Sequence, residues 1–525
     1  SFQCQLCEQP LRAALLWTMA CVARAPLAAL ALLLAIPAAV EAELSYQFPA
    51  EWEPQEAVWL GWPPFVYLEK YGRTNKDVSV DIMCTLANFS VPVRLAIADG
   101  EQLEEASEML AKRCPQHSVG KHGLQRNTTA PSISIFEDTP HSDAWWRDMG
   151  PQFLVKQGVG REGAAPLRVL DFNFNYWGYA LDQEGYWQDN SIDENVDRLT
   201  AIQLGLQTST HTDWSHEGGN VDAFRPADHG VASAYRPRLM SVRAVELNRN
   251  PQLSLEEIDA KMLASYGYPS VSAGAAAPDA LGVLWLEEGV VDDALPWTGP
   301  FDFGLGEPVY TFGTGGHVDE VARWTPDGAV LLTMPSAEEA AKGPAQRESR
   351  DRMLRNAEVL RRANISVIEL PAVPTLTITL EPDATSNPEG LYAGLRDAKY
   401  SCDLEMAYTL CQPFPDGKPV QVAVAASYAN YLVTNGVVLM QTYCVPGLCE
   451  TRPELEEADA RAEAVLRQVF GKDREVVGIN AFATNLGGGG VHCYTQQQPR
   501  AGHSQYTPSL RGAAAARATP GSGVP

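Results

Sequence analysis

The sequence predicts a mixed α/β chain without an obvious linker between residues 45 and 499. Short β-branched or aromatic runs bounded by Gly, Pro or Asp alternate with helical patterns, as expected for alternating strands and helices. Three strings also resemble one another, each with a glycine pair and a reactive group at its fifth position: Gly218-Gly-Asn-Val-Asp222, Gly315-Gly-His-Val-Asp319 and Gly489-Gly-Val-His-Cys493. We read each as the start of a strand. If these are repeated units round an axis, their fifth residues could converge on one point.

The predicted elements follow in chain order. Residues 51–64 read as a turn that enters a buried strand. Further strands are predicted at 92–97, 167–173, 329–333, 366–370, 421–425, 430–441 and 475–479, and helices at 101–112, 254–266, 336–362 and 454–470. Capping-box patterns start at Ser254 and Ser336, and Gly267 is expected to end the helix 254–266. The Gly/Ala/Pro/Arg-rich tail 500–525 is expected to be disordered.

Composition restricts the class of partner. The 525 residues are 45% hydrophobic and 20% charged, as in a soluble globular protein, and carry a formal net charge of −25. Such a charge argues against a nucleic-acid partner and favours cationic ligands, although it also serves solubility alone. Oligomeric state is left open.

Residues 1–42 resemble a targeting leader. An apolar run from Ala25 to Val40 precedes the small-residue step that ends at Ala42. This pattern predicts a cleaved secretory signal, so that the mature chain has no stable membrane span and is secreted or lies in a secretory lumen. An uncleaved membrane anchor and an organelle-targeting leader are the alternatives. In a secretory compartment, Asn88, Asn127 and Asn364 would be glycosylation acceptors.

Seven cysteines, an odd number, lie beyond the predicted leader. Six of them form neighbouring couples, for which we expect the disulfides 84–114, 402–411 and 444–449, and this leaves Cys493 as a free thiol. The alternative is a zinc site made of Cys402, Cys411, Cys444 and Cys449. Their spacing is not that of a zinc knuckle.

Cys493 follows four consecutive glycines, Gly487 to Gly490, which let backbone or ligand approach where a Cβ would collide. The thiol is therefore a candidate nucleophile, although a lone cysteine is more often a buried core residue. On a strand, His317 and Asp319 would share one face, as a general base beside a carboxylate; a solvated surface turn is the alternative. His492 would point to the opposite face from Cys493 and is predicted to be structural.

Two more segments offer groups for a cation. Trp145 and Trp146 precede Asp148 and could form an aromatic wall that ends in a carboxylate, or else a core corner. Glu217 precedes a glycine pair, and Asn220 rules out a zincin motif. Neither a P-loop nor a dinucleotide fingerprint is present. A thiol, a histidine and several carboxylates together suit a guanidinium, whose five N–H donors need acidic partners while its carbon faces the sulfur.

These segments carry a family resemblance across residues 46–499. The sequence resembles agmatine deiminases and the related Porphyromonas-type peptidylarginine deiminases in Glu51-Trp-Glu-Pro, Trp145-Trp-Arg-Asp-Met-Gly-Pro, Glu217-Gly-Gly, Asn248-Arg-Asn-Pro-Gln-Leu-Ser, Gly316-His-Val-Asp, Ala426-Ser-Tyr-Ala-Asn and Gly488-Gly-Gly-Val-His-Cys-Tyr-Thr-Gln-Gln-Gln-Pro. The resemblance implies a pentein fold: a five-fold pseudo-symmetric α/β propeller of ββαβ units round a central site. It implies a single catalytic domain, 43–499, with neither metal nor organic cofactor.

Carried over by motif position, the resemblance assigns Cys493 as nucleophile, His317 as acid/base, Asp148 and Asp319 as guanidinium-binding carboxylates, and Glu217 as a supporting one. It implies hydrolysis of agmatine to N-carbamoylputrescine and ammonia through a covalent cysteine intermediate, as in putrescine biosynthesis.

Two departures leave the substrate open. The segment 268–304 looks longer than in the family, and the leader is unlike that of a cytosolic enzyme. The alternatives on the same fold are deimination of peptidylarginine, hydrolysis of free arginine, and amidino transfer. An alternative of another class is a secreted, catalytically inactive protein that binds polyamines or glycans.

Overall fold

The structure is a computed structural model. It describes residues 46–122, 132–157, 166–178, 192–226, 238–268, 282–295, 298–382, 392 and 417–500. The predicted leader, the tail beyond Arg500, the sequon at Asn127 and the predicted disulfide between Cys402 and Cys411 lie outside these residues. None of the helices within these ranges combines the length and the apolar composition that a membrane span requires.

The strands are short and mostly buried. They are β1 Tyr46–Gln47, β2 Gln55–Gly61, β3 Val93–Ala96, β4 Val119–Lys121, β5 Ile133–Phe136, β6 Gln152–Lys156, β7 Leu167–Asn173, β8 Gln207–Ser215, β9 Asp222–Phe224, β10 Arg238–Val242, β11 Leu284–Leu286, β12 Thr298–Phe301, β13 Val309–Phe312, β14 Ala322–Trp324, β15 Val330–Met334, β16 Val367–Pro371, β17 Thr377–Leu380, β18 Val420–Val424, β19 Leu432–Thr434, β20 Val437–Thr442, β21 Glu475–Asn480 and β22 Gln496–Pro499.

The helices lie between the strands and pack on the sheets. They are α1 Asn75–Asn88, α2 Gly100–Arg113, α3 Trp146–Met149, α4 Val196–Leu204, α5 Arg243–Arg249, α6 Leu255–Tyr266, α7 Val318–Val321, α8 Ala337–Ala340, α9 Pro344–Arg362, α10 Glu454–Phe470 and α11 Phe482–Asn485. Short 3₁₀ turns cover Asp193–Asn195, Gly218–Asn220 and Val291–Asp293.

The same ββαβ unit occurs five times in the described residues. Each unit has an antiparallel strand pair, then helix, then a third strand parallel to the second. The strand triplets are β22-β2-β3, β6-β7-β8, β9-β10-β11, β14-β15-β16 and β19-β20-β21. The first triplet joins the C-terminal strand to the N-terminal one, so the two ends of the chain complete a single unit. A further sheet, β12-β13-β18-β17, lies outside this pattern.

The hydrophobic core connects the units in a circle. One cluster of buried side chains joins the first unit to the second, and another joins the second to the third. The largest cluster spans the third, fourth and fifth units, and a fourth cluster joins the fifth back to the first. Burial of this continuous apolar surface is the main stabilising term for the ring.

Most predicted elements are confirmed within a residue or two, and 167–173 and 454–470 have the predicted bounds. Ser254 and Glu257 form the capping box of α6, and Gly267 ends that helix in a left-handed conformation with φ 72°. The predicted helix 336–362 is two helices, because a proline at 344 begins α9 and cannot continue α8. The predicted strand 430–441 is the hairpin β19–β20, which turns at Gly436 with φ 77°.

Two predicted disulfides are confirmed. Cys84 is bonded to Cys114, which ties α1 to the end of α2, and Cys444 is bonded to Cys449. Since Cys444 and Cys449 are joined to each other, they are not free to bind zinc as the alternative required. Cys493 is the free cysteine among the described residues, and it is buried.

Candidate active site

Each of the five units places a polar residue just ahead of its first strand. These residues meet in one buried cluster in which no member is more than 5% exposed: Asp148 before β6, Glu217 before β9, His317 and Asp319 before β14, Asn430 before β19, and Cys493 before β22. The repeated unit therefore brings together side chains that lie up to 345 residues apart in sequence.

The sulfur of Cys493 lies among an amide and two carboxylates. Asn430 Nδ2 donates to Sγ over 3.0 Å and to Asp319 Oδ2 over 3.1 Å. Asp319 Oδ2 is 3.6 Å from Sγ, and Glu320 Oε1 is 3.7 Å from it. The thiol thus faces negative charge on the side of α7.

His317 lies between two other carboxylates. Its Nε2 is 2.9 Å from Glu217 Oε2, and its Nδ1 is 3.8 Å from Asp148 Oδ1. Arg249 donates from Nε to Glu217 Oε1 over 2.8 Å and so neutralises that carboxylate. Asp148 accepts hydrogen bonds of 2.9 Å from the Gly219 amide and from Trp177 Nε1.

Glycine is required where the backbone touches these side chains. A Cβ at Gly219 would lie 2.4 Å from His317 Nδ1 and 2.7 Å from Asp148 Oδ1. A Cβ at Gly489 would lie 2.9 Å from Cys493 Sγ and 2.7 Å from Cζ3 of Trp145. Real Cβ atoms essentially never approach other atoms so closely. The predicted close approach at the glycines before Cys493 is therefore confirmed at Gly489, and Gly219 provides a second close approach that was not predicted.

Burial and charge set the protonation of the two reactive groups. Burial alone would lower the pKa of His317, but the charge of Asp148 and the hydrogen bond with Glu217 outweigh it and raise that pKa to about 9. Burial, followed by the charges of Asp319 and Glu320, raises the pKa of the Cys493 thiol well above its ordinary value. At neutral pH the site holds an imidazolium and a neutral thiol.

The carboxylates divide into two kinds. Glu217 stays ionised, because Arg249 and His317 outweigh the effect of burial and lower its pKa to about 2. Burial raises the pKa of Asp148, and burial with the charge of nearby Asp293 raises that of Glu320 well above its usual range. For Asp148 and Glu320, the positive charge nearby does not offset the effect of burial on the pKa.

Several buried polar atoms in this cluster have no hydrogen-bond partner. They are Asp319 Oδ1, Glu320 Oε2 and His317 Nδ1. Buried polar atoms are almost always paired, so such a group of unpaired atoms is typical of a place for a polar ligand. The ligand groups of Asp319, Glu320 and Cys493 lie within 4.8 Å of one another, close enough to hold a thiophilic divalent ion, and form the one such group in the described ranges.

Two predictions about local structure are wrong. His317 and Asp319 are not on a strand: His317 precedes the short helix α7, on which Asp319 lies. Residues 491–494 form a turn before β22, so His492 and Cys493 are not on opposite faces, and the ring of His492 is hydrogen-bonded to Asp319 over 2.7 Å.

The predicted convergence of fifth residues is wrong for one of the three strings. Asp222, the fifth residue of the first string, lies on β9, where its carboxylate accepts a hydrogen bond from the Trp324 amide. The residue that joins the cluster at that string is Glu217, which precedes the glycine pair.

Of the two tryptophans in the predicted aromatic wall, one lies beside the cluster and the other does not. Trp145 lies beside Gly489 and packs against Tyr494, with ring centroids 4.9 Å apart. Trp146 instead packs fully buried in the core between the first and second units, against Gly61. The indole that contacts Asp148 is Trp177, which the sequence patterns did not single out.

The sequence patterns also missed Asn430, Glu320 and Arg249 as members of the cluster. Asn430 and Arg249 lie within motifs that resemble the family, so their position was signalled although their role was not. Glu320 directly follows Asp319 on α7, and only the helical turn brings both carboxylates to the same sulfur.

The raised pKa of Cys493 predicts how its thiol reacts. We expect Asp319→Asn to lower that pKa, because it removes a negative charge 3.6 Å from Sγ. Alkylation by iodoacetamide at pH 8, followed by peptide mapping, should then be about tenfold faster than in the wild type. Asp259→Asn is the matched control: that carboxylate is also buried but accepts from the amides of Gly282 and Val283, away from the sulfur. Equal rates in all three proteins would contradict this electrostatic description.

Comparison with known proteins agrees with this architecture. The family model of Porphyromonas-type peptidyl-arginine deiminase matches residues 47–294 and 304–499. The two matched stretches leave out 295–303, within the segment that looked long from sequence. Agmatine deiminase of Pseudomonas putida is 26% identical over 455 residues, covering 86% of this chain and 95% of the relative.

Solved structures share the fold. Agmatine deiminase of Enterococcus faecalis superposes with a TM-score of 0.55 at 21% identity, covering 87% of this chain and 96% of that one. A C. jejuni agmatine deiminase variant with substrate bound gives a TM-score of 0.54 at 17% identity, covering 87% and 97%. The pentein-type α/β fold predicted from the sequence is therefore confirmed, and the chain belongs to the Porphyromonas-type peptidyl-arginine deiminase family.

Proposed function

We propose that this protein hydrolyses agmatine to N-carbamoylputrescine and ammonia, with Cys493 as the nucleophile. One observation carries the proposal: carboxylate oxygens of Asp319 and Glu320 without partners lie buried beside a thiol. A guanidinium supplies five N–H donors and one positive charge, which is what these groups lack. The relative from P. putida is named for the same activity.

Binding and activation are coupled in this scheme. The guanidinium donates to Asp319 and Asp148 at its edges, while its central carbon faces Cys493 Sγ. Its positive charge offsets the carboxylates that raise the thiol pKa, so the thiol releases its proton to solvent when the substrate binds. The nucleophile therefore forms only in the presence of the correct ligand.

His317 then acts first as the general acid and afterwards as the general base. The thiolate attacks the guanidinium carbon, the imidazolium of His317 protonates the departing ammonia, and an alkylthiouronium remains on the sulfur. The neutral ring next takes a proton from water, and the resulting hydroxide adds to the same carbon. The carbon–sulfur bond then breaks, and the hydroxyl proton passes to the departing sulfur, which yields the ureido product and restores the thiol. Because the pKa of His317 is about 9, the acid form is present below that pH and activity should fall above it.

The second candidate is hydrolysis of arginine side chains in peptides. It is favoured by the description of the matching family model, which names a peptidyl-arginine deiminase. Both reactions use the same thiol, histidine and carboxylates, and the two substrates differ only in the molecule that carries the guanidino group. If agmatine is the substrate, the product N-carbamoylputrescine would be an intermediate in putrescine biosynthesis.

A substrate panel tests the proposal. We expect agmatine to give ammonia and N-carbamoylputrescine, with kcat/KM for free arginine and for blocked arginyl peptides lower by about tenfold or more. Cys493→Ala should abolish turnover, a loss on the order of 10⁴-fold or more, while still binding agmatine. Preference for the arginyl peptide would instead support the second candidate. Turnover of none of these compounds by the wild type, or full activity in Cys493→Ala, would overturn the scheme.

We further propose that the protein is exported through a secretory compartment. In support, two disulfides link described cysteines, and the sequon residues Asn88 and Asn364 are both exposed. When the chain is expressed in a eukaryotic secretory host, peptide N-glycosidase should reduce its mass. Asn88→Gln with Asn364→Gln should lower that mass difference. Retention of the chain in the cytosol with all cysteines reduced would contradict export.

A further inference from the structure

His492 lies buried between two carboxylates. Its Nδ1 is 2.7 Å from Asp319 Oδ2, its Nε2 is 2.5 Å from Glu51 Oε1, and the residue is 1% exposed. A carboxylate oxygen can only accept, so each ring nitrogen must donate. The two ring nitrogens are thus directed at two acids, and hydrogen bonds to a carboxylate are charge-assisted.

Glu51 is itself held by arginines. Arg323 Nη2 donates to Glu51 Oε2, and Arg147 Nη1 is 3.6 Å from Oε1. The result is a buried chain of alternating basic and acidic side chains that runs Arg323, Glu51, His492, Asp319. It starts on β14, passes through the segment ahead of β2 and ends beside the sulfur, joining groups 272, 441 and 173 residues apart in sequence.

This chain decides which oxygen of Asp319 is available. Oδ2 accepts from His492 and Asn430, whereas Oδ1 is the buried atom without a partner. Burial alone would raise the pKa of Asp319, but the hydrogen bond from His492, followed by its charge, outweighs burial and keeps that pKa below its ordinary value.

We propose that His492 is a positioning residue for guanidino hydrolysis: anchored by Glu51, it fixes Asp319 through Oδ2 so that Oδ1 meets the guanidinium. The inference rests on the proposed function and adds to it a residue that acts through Asp319. It also assigns a role to Glu51, which is distant in sequence from the reacting groups.

The pH dependence follows from the groups that face this pair. The groups that face Asp319 are His492, His317, Cys493, Glu320, Asp148, Asp293, Arg147 and Arg323. The groups that face His492 are Asp319, Glu51 and Asp222. Since His492 is the leading group that lowers the pKa of Asp319, its loss raises that pKa. The acid limb of kcat/KM, below which Asp319 is protonated, therefore moves to higher pH.

Two substitutions separate the two hydrogen bonds of the ring. His492→Asn carries an amide nitrogen near the position of Nδ1 and keeps a donor to Asp319, while His492→Gln extends toward Nε2 and loses it. We expect His492→Asn to lower kcat/KM by about tenfold and His492→Gln by about 100-fold, mainly through KM. Both should shift the acid limb upward.

The control is another buried histidine with both ring nitrogens bonded. His141 lies 2.7 Å from the Thr139 carbonyl and 2.9 Å from the Trp62 carbonyl, with no carboxylate involved. His141→Gln should lower the melting temperature without changing KM or the acid limb. If His492→Gln does not fold, Glu51→Gln provides the test, because it keeps an acceptor for Nε2, removes the charge and should still shift the limb.

The proposal is overturned if His492→Asn and His492→Gln lose activity equally, or if both change only the melting temperature. It is also overturned if the acid limb stays in place in every variant. Failure of the proposed function is separate: the wild type would then turn over no guanidino compound. In that case, calorimetry must still show that the Kd of agmatine is lowest for the wild type, higher for His492→Asn and highest for His492→Gln.

Discussion

The site depends on one electrostatic constraint: the thiol of Cys493 is buried beside the carboxyl groups of Asp319, Glu320 and Asp148, and burial together with their charge raises its pKa. Arg249 and His317 satisfy Glu217, and His492 satisfies one oxygen of Asp319. The remaining acceptors keep a deficit of positive charge, which also keeps the thiol protonated. A planar cation that enters the hollow relieves both conditions at once, so affinity and activation of the nucleophile arise from the same charge.

The ring of ββαβ units is what allows the protein to hold these acids together. A side chain just ahead of the first strand of each unit reaches the same point, and no unit alone contains a complete set. Because β22 pairs with β2, the segment that carries the nucleophile is fixed against the segment that begins just beyond Glu51. Folding of the whole chain is thus the condition for gathering acids that would otherwise repel one another and remain in water.

The sequence patterns identified several of the reactive residues but not the local structure that carries them. Buried strands such as 167–173 and the amphipathic helix 454–470 are set by local periodicity, so they could be predicted closely. The turns that carry His317 and Cys493 look like strands in sequence, because a four-residue turn between glycines and a strand is too short to show a helical period. The environment of His492 depends on contacts across hundreds of residues, which no local pattern encodes.

The central claim is that the sulfur of Cys493 forms a bond to the guanidino carbon of the substrate. Rapid acid quenching during turnover of agmatine, followed by mass spectrometry of the peptide that contains Cys493, tests it most directly. We expect a transient gain in mass equal to agmatine less ammonia, on that cysteine alone and absent from Cys493→Ala. An enzyme that turns agmatine over at full rate while this peptide stays unmodified at every quench time would contradict the claim.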